Sequence, residues 1–148
     1  MKHTHLILVL LALVFLSLSG CAGKSNHQAR LQDLGNGICQ DTVSGRMWQI
    51  GKGPMATSLE EAEQYTRSLE LGGYNDWRLP TVNELYDLNY LFDLFLVGNC
   101  TLDRKGSYWS SEKNGAGNAG AWEIGASQCD PSREYSPATM GYVRAVRP

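Results

Sequence analysis

Three histidines, four cysteines and a scatter of carboxylates are the side chains from which this 148-residue chain would have to build catalytic or metal chemistry. His3 and His5 stand at the very start and His27 lies in a polar stretch before the body. The body therefore offers no imidazole to take a proton from a serine or a thiol, which rules out a Ser-His-Asp or Cys-His site there. Cys39, Cys100 and Cys129 are widely separated, contain no Cys-x-x-Cys pair and have no histidine beside them, so a zinc site has little to stand on. The structural alternative is one disulfide with a thiol left over; three pairings exist, and spacing does not choose among them. Glu112, Glu123 and Asp130 fall close together late in the chain, which keeps an enzyme working through carboxylates or a metal as the alternative function. Nothing fixes two of them at the separation that glycoside hydrolysis needs. Trp48, Trp77, Trp109 and Trp122 could offer indole faces to a sugar, but each lies in an extended, apolar-rich segment. Large aromatics in such segments fill the core, and that is their expected role. Arg78, Arg144 and Arg147 form either an anion site or ion pairs with Asp76, Glu84 or Glu123, and structural pairing is the expectation. No cofactor is expected, and a partner nucleic acid would want clustered Lys and Arg, which the sequence lacks.

The elements that position these residues are organised around Leu71 to Leu85, LGGYNDWRLPTVNEL. Gly72 and Gly73 sit where a preceding helix should stop, since glycine takes a left-handed backbone without steric cost. Pro80 holds Leu79 extended, and Thr81 with Glu84 has the spacing of a capping box that opens a helix. The segment reads as a crossing between two helices, anchored in the core by Trp77. Before it, Ile38–Gln40 and Arg46–Gln49 flank a turn and predict a hairpin. The first helix starts near Thr57 or Ser58 and buries Leu59, Ala62, Tyr65, Thr66 and Leu69. The second runs from Val82 to about Phe95 and turns Val82, Leu85, Leu88, Phe92 and Phe95 inward. Short aromatic strands follow around Tyr108–Ser110, Ala121–Ile124 and Gly141–Val146, with residues 114–120 read as a mobile surface loop. The pattern is α+β, two helices packed on a twisted antiparallel sheet.

Ahead of this body, a start bearing Lys2 leads into an apolar run from Leu6 to Leu18, too short for a bilayer span and proportioned like a signal-peptide core. Leu18-Ser19-Gly20-Cys21 resembles the lipobox of bacterial lipoproteins. The resemblance implies cleavage before Cys21, lipidation of its thiol and a membrane-anchored protein of the cell envelope. Ala22 after the cysteine implies sorting to the outer membrane, with the face of the membrane left open. The chain then divides into a signal peptide at 1–20, the lipidated cysteine and a polar tether at 21–32, and one domain at 33–148. Loss of Lys2 leaves 12 basic against 15 acidic residues, with no run of one sign.

The ordered set GRMWQ (45–49), GGYNDWRLPTVNEL (72–85), GSYWSSE (106–112), AWEIG (121–125) and GYVRAVRP (141–148) resembles the Lcl C-terminal domain family, named from the terminal domain of a collagen-like bacterial adhesin. The resemblance implies a compact C-type-lectin-like fold whose first and last strands pair. It also implies a recognition, adhesion or scaffold role without turnover, with a glycan or an envelope protein as partner. Attachment to host glycosaminoglycans is the role associated with the named member. The formylglycine-generating oxidases, distant relatives of this fold, depend on paired active-site cysteines that have no counterpart here. Many members join a cysteine of the first helix to one of the last strand; Thr66 and Ala145 stand at those positions, so the resemblance implies that these two residues are neighbours. Following the second bridge of lectin-like folds, Cys100 with Cys129 is the favoured disulfide, and Cys39 with either is the alternative. Asp76, beside Asn75 and Trp77, has the composition of the lectin calcium motif but not its order or place. The loops from Gly98 to Pro137 are the expected binding face.

Overall fold

The computed structural model describes residues 29–114, 117–124 and 133–148. The expected signal segment, Cys21, most of the tether, Cys129 and Asp130 lie outside the described residues. Three short strands come first, β1 (Leu31–Gly35), β2 (Ile38–Asp41) and β3 (Met47–Gln49), then β4 (Met55–Ala56) and the helices α1 (Leu59–Ser68) and α2 (Val82–Asp93). A meander of β5 (Tyr108–Asn114), β6 (Gly117–Ile124) and β7 (Arg133–Ala138) leads to β8 (Gly141–Tyr142) and β9 (Val146–Arg147). The class is α+β, but there are two sheets where one was expected, ordered β1-β2-β3-β9 and β4-β8-β5-β6-β7. The last strand joins the sheet of the first by pairing with β3, Trp48 opposite Val146. One pairing departs from the antiparallel expectation: β8 runs parallel to β5 at Tyr108↔Tyr142. Because β6 is antiparallel to both β5 and β7, β7 already runs in the direction of β5, and the bend at Thr139 and Met140 carries the chain on without reversing it.

Both helices begin where side chains satisfy their free amides. Ser58 Oγ accepts from Glu61 N, while the Glu61 carboxylate reaches one residue further back, to Thr57 N at 2.7 Å. At α2 the capping box closes as the sequence predicts: Glu84 N donates to Thr81 Oγ1 at 3.1 Å and Thr81 N donates to Glu84 Oε2 at 2.8 Å. The buried face of α2 is Val82, Leu85, Leu88 and Leu91, with Phe92 partly buried. Phe95, expected inside, is instead exposed. Its N–H donates to Phe92 O and that of Leu96 to Leu91 O, so the chain folds back in a Schellman turn and swings the Phe95 ring outward. At the other junction α1 already ends at Ser68, and Gly72 and Gly73 (φ +63° and +84°) close a separate turn in which Leu71 and Tyr74 exchange hydrogen bonds. A Cβ at Gly72 would lie 2.0 Å from Ile38 Cδ1, so both conformation and space require glycine.

The crossing segment does what its sequence implies. Trp77 is buried with Ile38 and Ala145, Arg78 exchanges backbone hydrogen bonds with Val146 of β9 at 2.9 Å, and Pro80 O accepts from Ser111 N of β5. One extended stretch thus ties the two sheets. Leu31 is 1 % exposed and packs with Trp48, Leu85 and Leu88, so the folded body begins two residues before the boundary drawn at 33. Of the supposed loop at 114–120, Asn114 and residues 117–120 belong to β5 and β6, with Asn114 opposite Gly117 and Gly120 opposite Tyr108; residues 115 and 116 lie outside the described residues. Paired backbone stabilises that stretch despite its small side chains. Strand β7 had no clear alternation in the sequence and was not anticipated.

The favoured Cys100–Cys129 disulfide is overturned. Cys100 is bonded to Cys39, with Cα atoms 6.0 Å apart. The turn after α2 delivers Cys100 to the first sheet, because Leu96 O accepts from both Arg30 N and Leu31 N at the start of β1. The second bridge of lectin-like folds was a poor guide to that long-range contact.

The bridge closes a loop of 61 residues, for which chain entropy alone gives about 4 kcal/mol. Replacing both Cys39 and Cys100 by Ala should lower stability by about 3–4 kcal/mol in denaturant titration. Non-reducing peptide mapping should recover Cys39 and Cys100 in one linked pair. A second expectation concerns Thr66 and Ala145, both buried. Thr66→Cys with Ala145→Cys should cross-link under mild oxidation, read as a 2 Da loss in mass.

Candidate functional site

The charged residues of the sequence motifs are spent on holding the body together. Arg78 forms a two-pronged pair with Glu84, both contacts at 2.8 Å, and Arg46 Nε reaches the same carboxylate at 3.1 Å. Burial by itself raises the Glu84 carboxyl, but the hydrogen bonds from Arg78 and Thr81 and the charges of Arg78 and Arg46 outweigh it and hold it below the usual carboxylate range. Arg147 is paired to Asp76 through both oxygens and lies over the Tyr74 ring at 3.9 Å, so the acid that resembled part of a calcium motif already has a cation. Arg144, 2 % exposed, donates to Gln49 O, Ile50 O and Asp103 O. The expectation of structural pairing for these three arginines therefore holds in kind, Arg78 and Arg147 on carboxylates and Arg144 on carbonyl oxygens. The Glu112 carboxylate accepts from Val82 N at the start of α2, while Asp130 and the side chain of Glu123 lie outside what is described.

Two open depressions flank α1. One, of about 350 Å³, is lined by Pro54, Met55, Glu61, Gln64 and Tyr65; the other, of about 250 Å³, by Glu63, Arg67, Trp77, Arg78 and Ser111. Their charged groups are engaged with each other or with the backbone: Glu61 with Thr57, Glu63 with Arg67, and Arg78 with Glu84. Among the described residues no three His, Cys, Asp or Glu side chains are grouped to hold a metal ion. No helix of the described residues is long and apolar enough to cross a membrane.

Trp48, Trp77 and Trp109 are buried, as expected. Trp122 is the exception in degree: partly buried, it packs against the core from above and donates through Nε1 to Val82 O at 3.0 Å. Around it stand the rings that sequence reasoning missed. Tyr86 meets Trp122 edge-on with centroids 4.9 Å apart, Tyr135 also meets Trp122 edge-on at 5.3 Å, and Tyr90 lies nearly parallel to Tyr86 at 6.1 Å. The result is a row of four aromatics, Tyr90-Tyr86-Trp122-Tyr135, running from α2 across β6 to β7, with Tyr90 48 % exposed. Gly120 makes room for it, since a Cβ there would lie 2.4 Å from the Tyr135 ring. Beneath lies a cavity of about 30 Å³ bordered by Leu85, Asn89, Arg104 and Trp122. Tyr86 and Tyr90 are four residues apart on a helix, a spacing readable in the sequence; their meeting with Trp122 and Tyr135 needed the sheet. Such a row has the chemistry to stack on apolar ring faces or extended peptide and to hydrogen-bond at its exposed end, Tyr90, whereas the Tyr135 hydroxyl is buried.

The model of one protein family, the Lcl C-terminal domain, matches residues 37–147. No curated protein and no solved structure matches the chain.

Two carboxylates make the body sensitive to acid. At Asp41 burial pushes the pKa up, but hydrogen bonds from Arg30, Ser44 and the Val43 amide prevail and bring it down to about 2 from an ordinary 3.8. Glu84 is lowered likewise. A carboxyl depressed in the folded state contributes stability above its unfolded pKa and loses that contribution as pH falls through the folded one. Melting temperature should therefore drop between about pH 4 and about pH 2, and Asp41→Asn, less stable by about 2 kcal/mol at neutral pH, should show a shallower drop. A calorimetric pH series on both proteins checks it.

Proposed function

We propose that this chain, which belongs to the Lcl C-terminal domain family, is a recognition module of C-type-lectin-like fold held at a bacterial envelope membrane through a lipid on Cys21. The observation that carries the recognition reading is the row Tyr90-Tyr86-Trp122-Tyr135: Tyr86, Trp122 and Tyr135 meet edge-on, and Tyr90, stacked beside Tyr86, extends the row into solvent. Rings fixed in this way lose little entropy on binding and present both an apolar face and a polar tip, the combination that sugars and extended peptides ask for. Part of it falls within the stretch from Gly98 to Pro137 where a binding face was expected, and α2 supplies the rest. The basic side chains of the family motifs, Arg78, Arg144 and Arg147, are occupied internally, and the formal net charge is −2. An uncharged glycan or a peptide of an envelope protein therefore fits this row better than a sulfated polyanion does.

The apolar run and the LSGC sequence ending at Cys21 support the lipid anchor, and Ala22 after the cysteine supports sorting to the outer membrane. With the charged groups of both depressions already paired, a passive binding role accounts for the surface better than turnover does.

A glycan and envelope-peptide array probed with the lipoprotein should return ligands whose binding falls about tenfold or more in Tyr90→Ala, a loss on the scale of one exposed aromatic contact. The melting temperature of that variant should stay near the parent's, since the Tyr90 ring is half exposed. Unchanged binding in Tyr90→Ala would move the site away from the row. Cys21→Ser should shift the protein from the membrane fraction to the soluble one.

A further inference from the structure

The geometry points to a second membrane contact: the apolar corner formed by Val43 and Leu94-Phe95 dips into the bilayer beside the point where the chain enters the fold. The inference rests on the lipid anchor at Cys21 and deepens it.

Phe95 and Val43, 87 % and 74 % exposed, are the two most exposed large apolar side chains among the described residues. They are 52 positions apart in sequence, yet both adjoin one residue, Arg30. The Arg30 N–H donates to Leu96 O at 2.7 Å, next to Phe95, and its carbonyl accepts from Thr42 N at 2.9 Å, next to Val43. Arg30 is also where the tether meets the body, with Ala29 against Gly98 just before it.

The backbone at Phe95 adds a second, independent sign. Its φ is +57°, and it occupies the left-handed position of the Schellman turn where glycine is the usual residue. The fold bears the steric cost of a branched side chain there and then displays the ring to solvent, so neither cost is repaid inside the domain. A strained residue presenting an apolar group outward marks a contact made with something else.

Chain length says what that is. Ala29 is eight Cα steps from Cys21, which at roughly 3.3–3.6 Å each span at most about 29 Å. A body of about 115 residues is roughly 35 Å across, more than the tether spans, so with a lipid on Cys21 the entry corner can touch the bilayer whereas the opposite pole cannot be turned fully onto it. Two or three apolar tips are far too little for a stable protein interface, which needs about 1,000 Å². They suffice for a shallow dip into the acyl boundary that fixes orientation. Arg30 beside them retains part of its charge surface toward solvent while paired with Asp41, which suits a headgroup layer.

The test uses the full-length lipoprotein carrying Phe95→Trp, reconstituted into phosphatidylethanolamine and phosphatidylglycerol vesicles with or without bromine on the acyl chains. After subtraction of the parent's emission, the added indole should lose fluorescence in the brominated vesicles. Val43→Trp should repeat the loss from the other loop. Equal emission in both vesicle types for both variants overturns the proposal. So does a discrete protein adduct when a benzoylphenylalanine at position 95 is photoactivated in cells, because the corner would then dock a partner. Mass spectrometry of the N-terminal peptide from the same preparation scores the anchor separately. An unmodified Cys21 sinks the anchor reading, whereas a lipidated chain with an unquenched indole sinks the corner alone.

Discussion

A permanent charge inside a small body must be solvated by that body, and here the charge is Arg144. Arg144 lies between β8 and β9, where the chain passes from one sheet to the other, and its guanidinium donates to three separate parts of the fold. Gln49 O and Ile50 O belong to the end of β3, Asp103 O to the segment before β5, and the Tyr108 hydroxyl to β5 itself. The Tyr108 ring also lies 5.1 Å from the cation. Withdrawing any of these acceptors would leave a buried charge short of partners, which is costlier than losing an ordinary hydrogen bond. This side chain, whose planar fork suits several carbonyls at once, thus adds a second tie between the two sheets to that made by the crossing segment. Gln49 reinforces the tie from the same strand: its amide donates to the Tyr65 hydroxyl of α1 and accepts from Ala145 N.

Glu84 performs the corresponding task for the helices. It closes the cap of α2, receives both prongs of Arg78 from the crossing segment and reaches Arg46 beside β3. Because Arg78 is in turn hydrogen-bonded through its backbone to Val146, a single carboxylate couples helix start, crossing segment and first sheet. The sequence signals that survived are those with such local or strongly paired causes. Thr81 with Glu84, Ser58 before α1, Trp77 in the crossing segment and the internal engagement of the arginines were all legible from residue type and spacing.

What could not be read depended on contacts between distant stretches. The partner of Cys100 was settled by where the turn after α2 meets β1, and nothing near Cys39 or Cys100 in sequence encodes that meeting. Phe95 continued the helical period and so looked inward, but the helix had already stopped two residues earlier and the Schellman turn reversed its direction. Residues 114–120 are poor in side-chain area and looked like a loop; ladder pairing with β5 and β7 makes strands of the described part because backbone groups, not side chains, supply the contacts. The aromatic row shows both cases together. Tyr86 and Tyr90 share a helix face by spacing alone, whereas Trp122 and Tyr135 join them only because β6 lies beside α2.

The row and the apolar corner are consequences of one helix. Tyr86, Tyr90 and Leu94 recur every four residues along α2 and its last turn, with Phe95 following at once. At about 1.5 Å per residue, Tyr86 stands roughly 12 Å along the helix axis from Leu94. A lipid contact at the Leu94-Phe95 end would therefore keep Tyr86 and Tyr90 within a short distance of the headgroups. A ligand reached in that geometry is one that itself lies close to the bilayer, such as a glycan headgroup or the membrane-proximal segment of a neighbouring envelope protein. The rigidity needed to keep that distance comes from the same Glu84 cap and Cys39–Cys100 bond that fix the two ends of α2 to the first sheet.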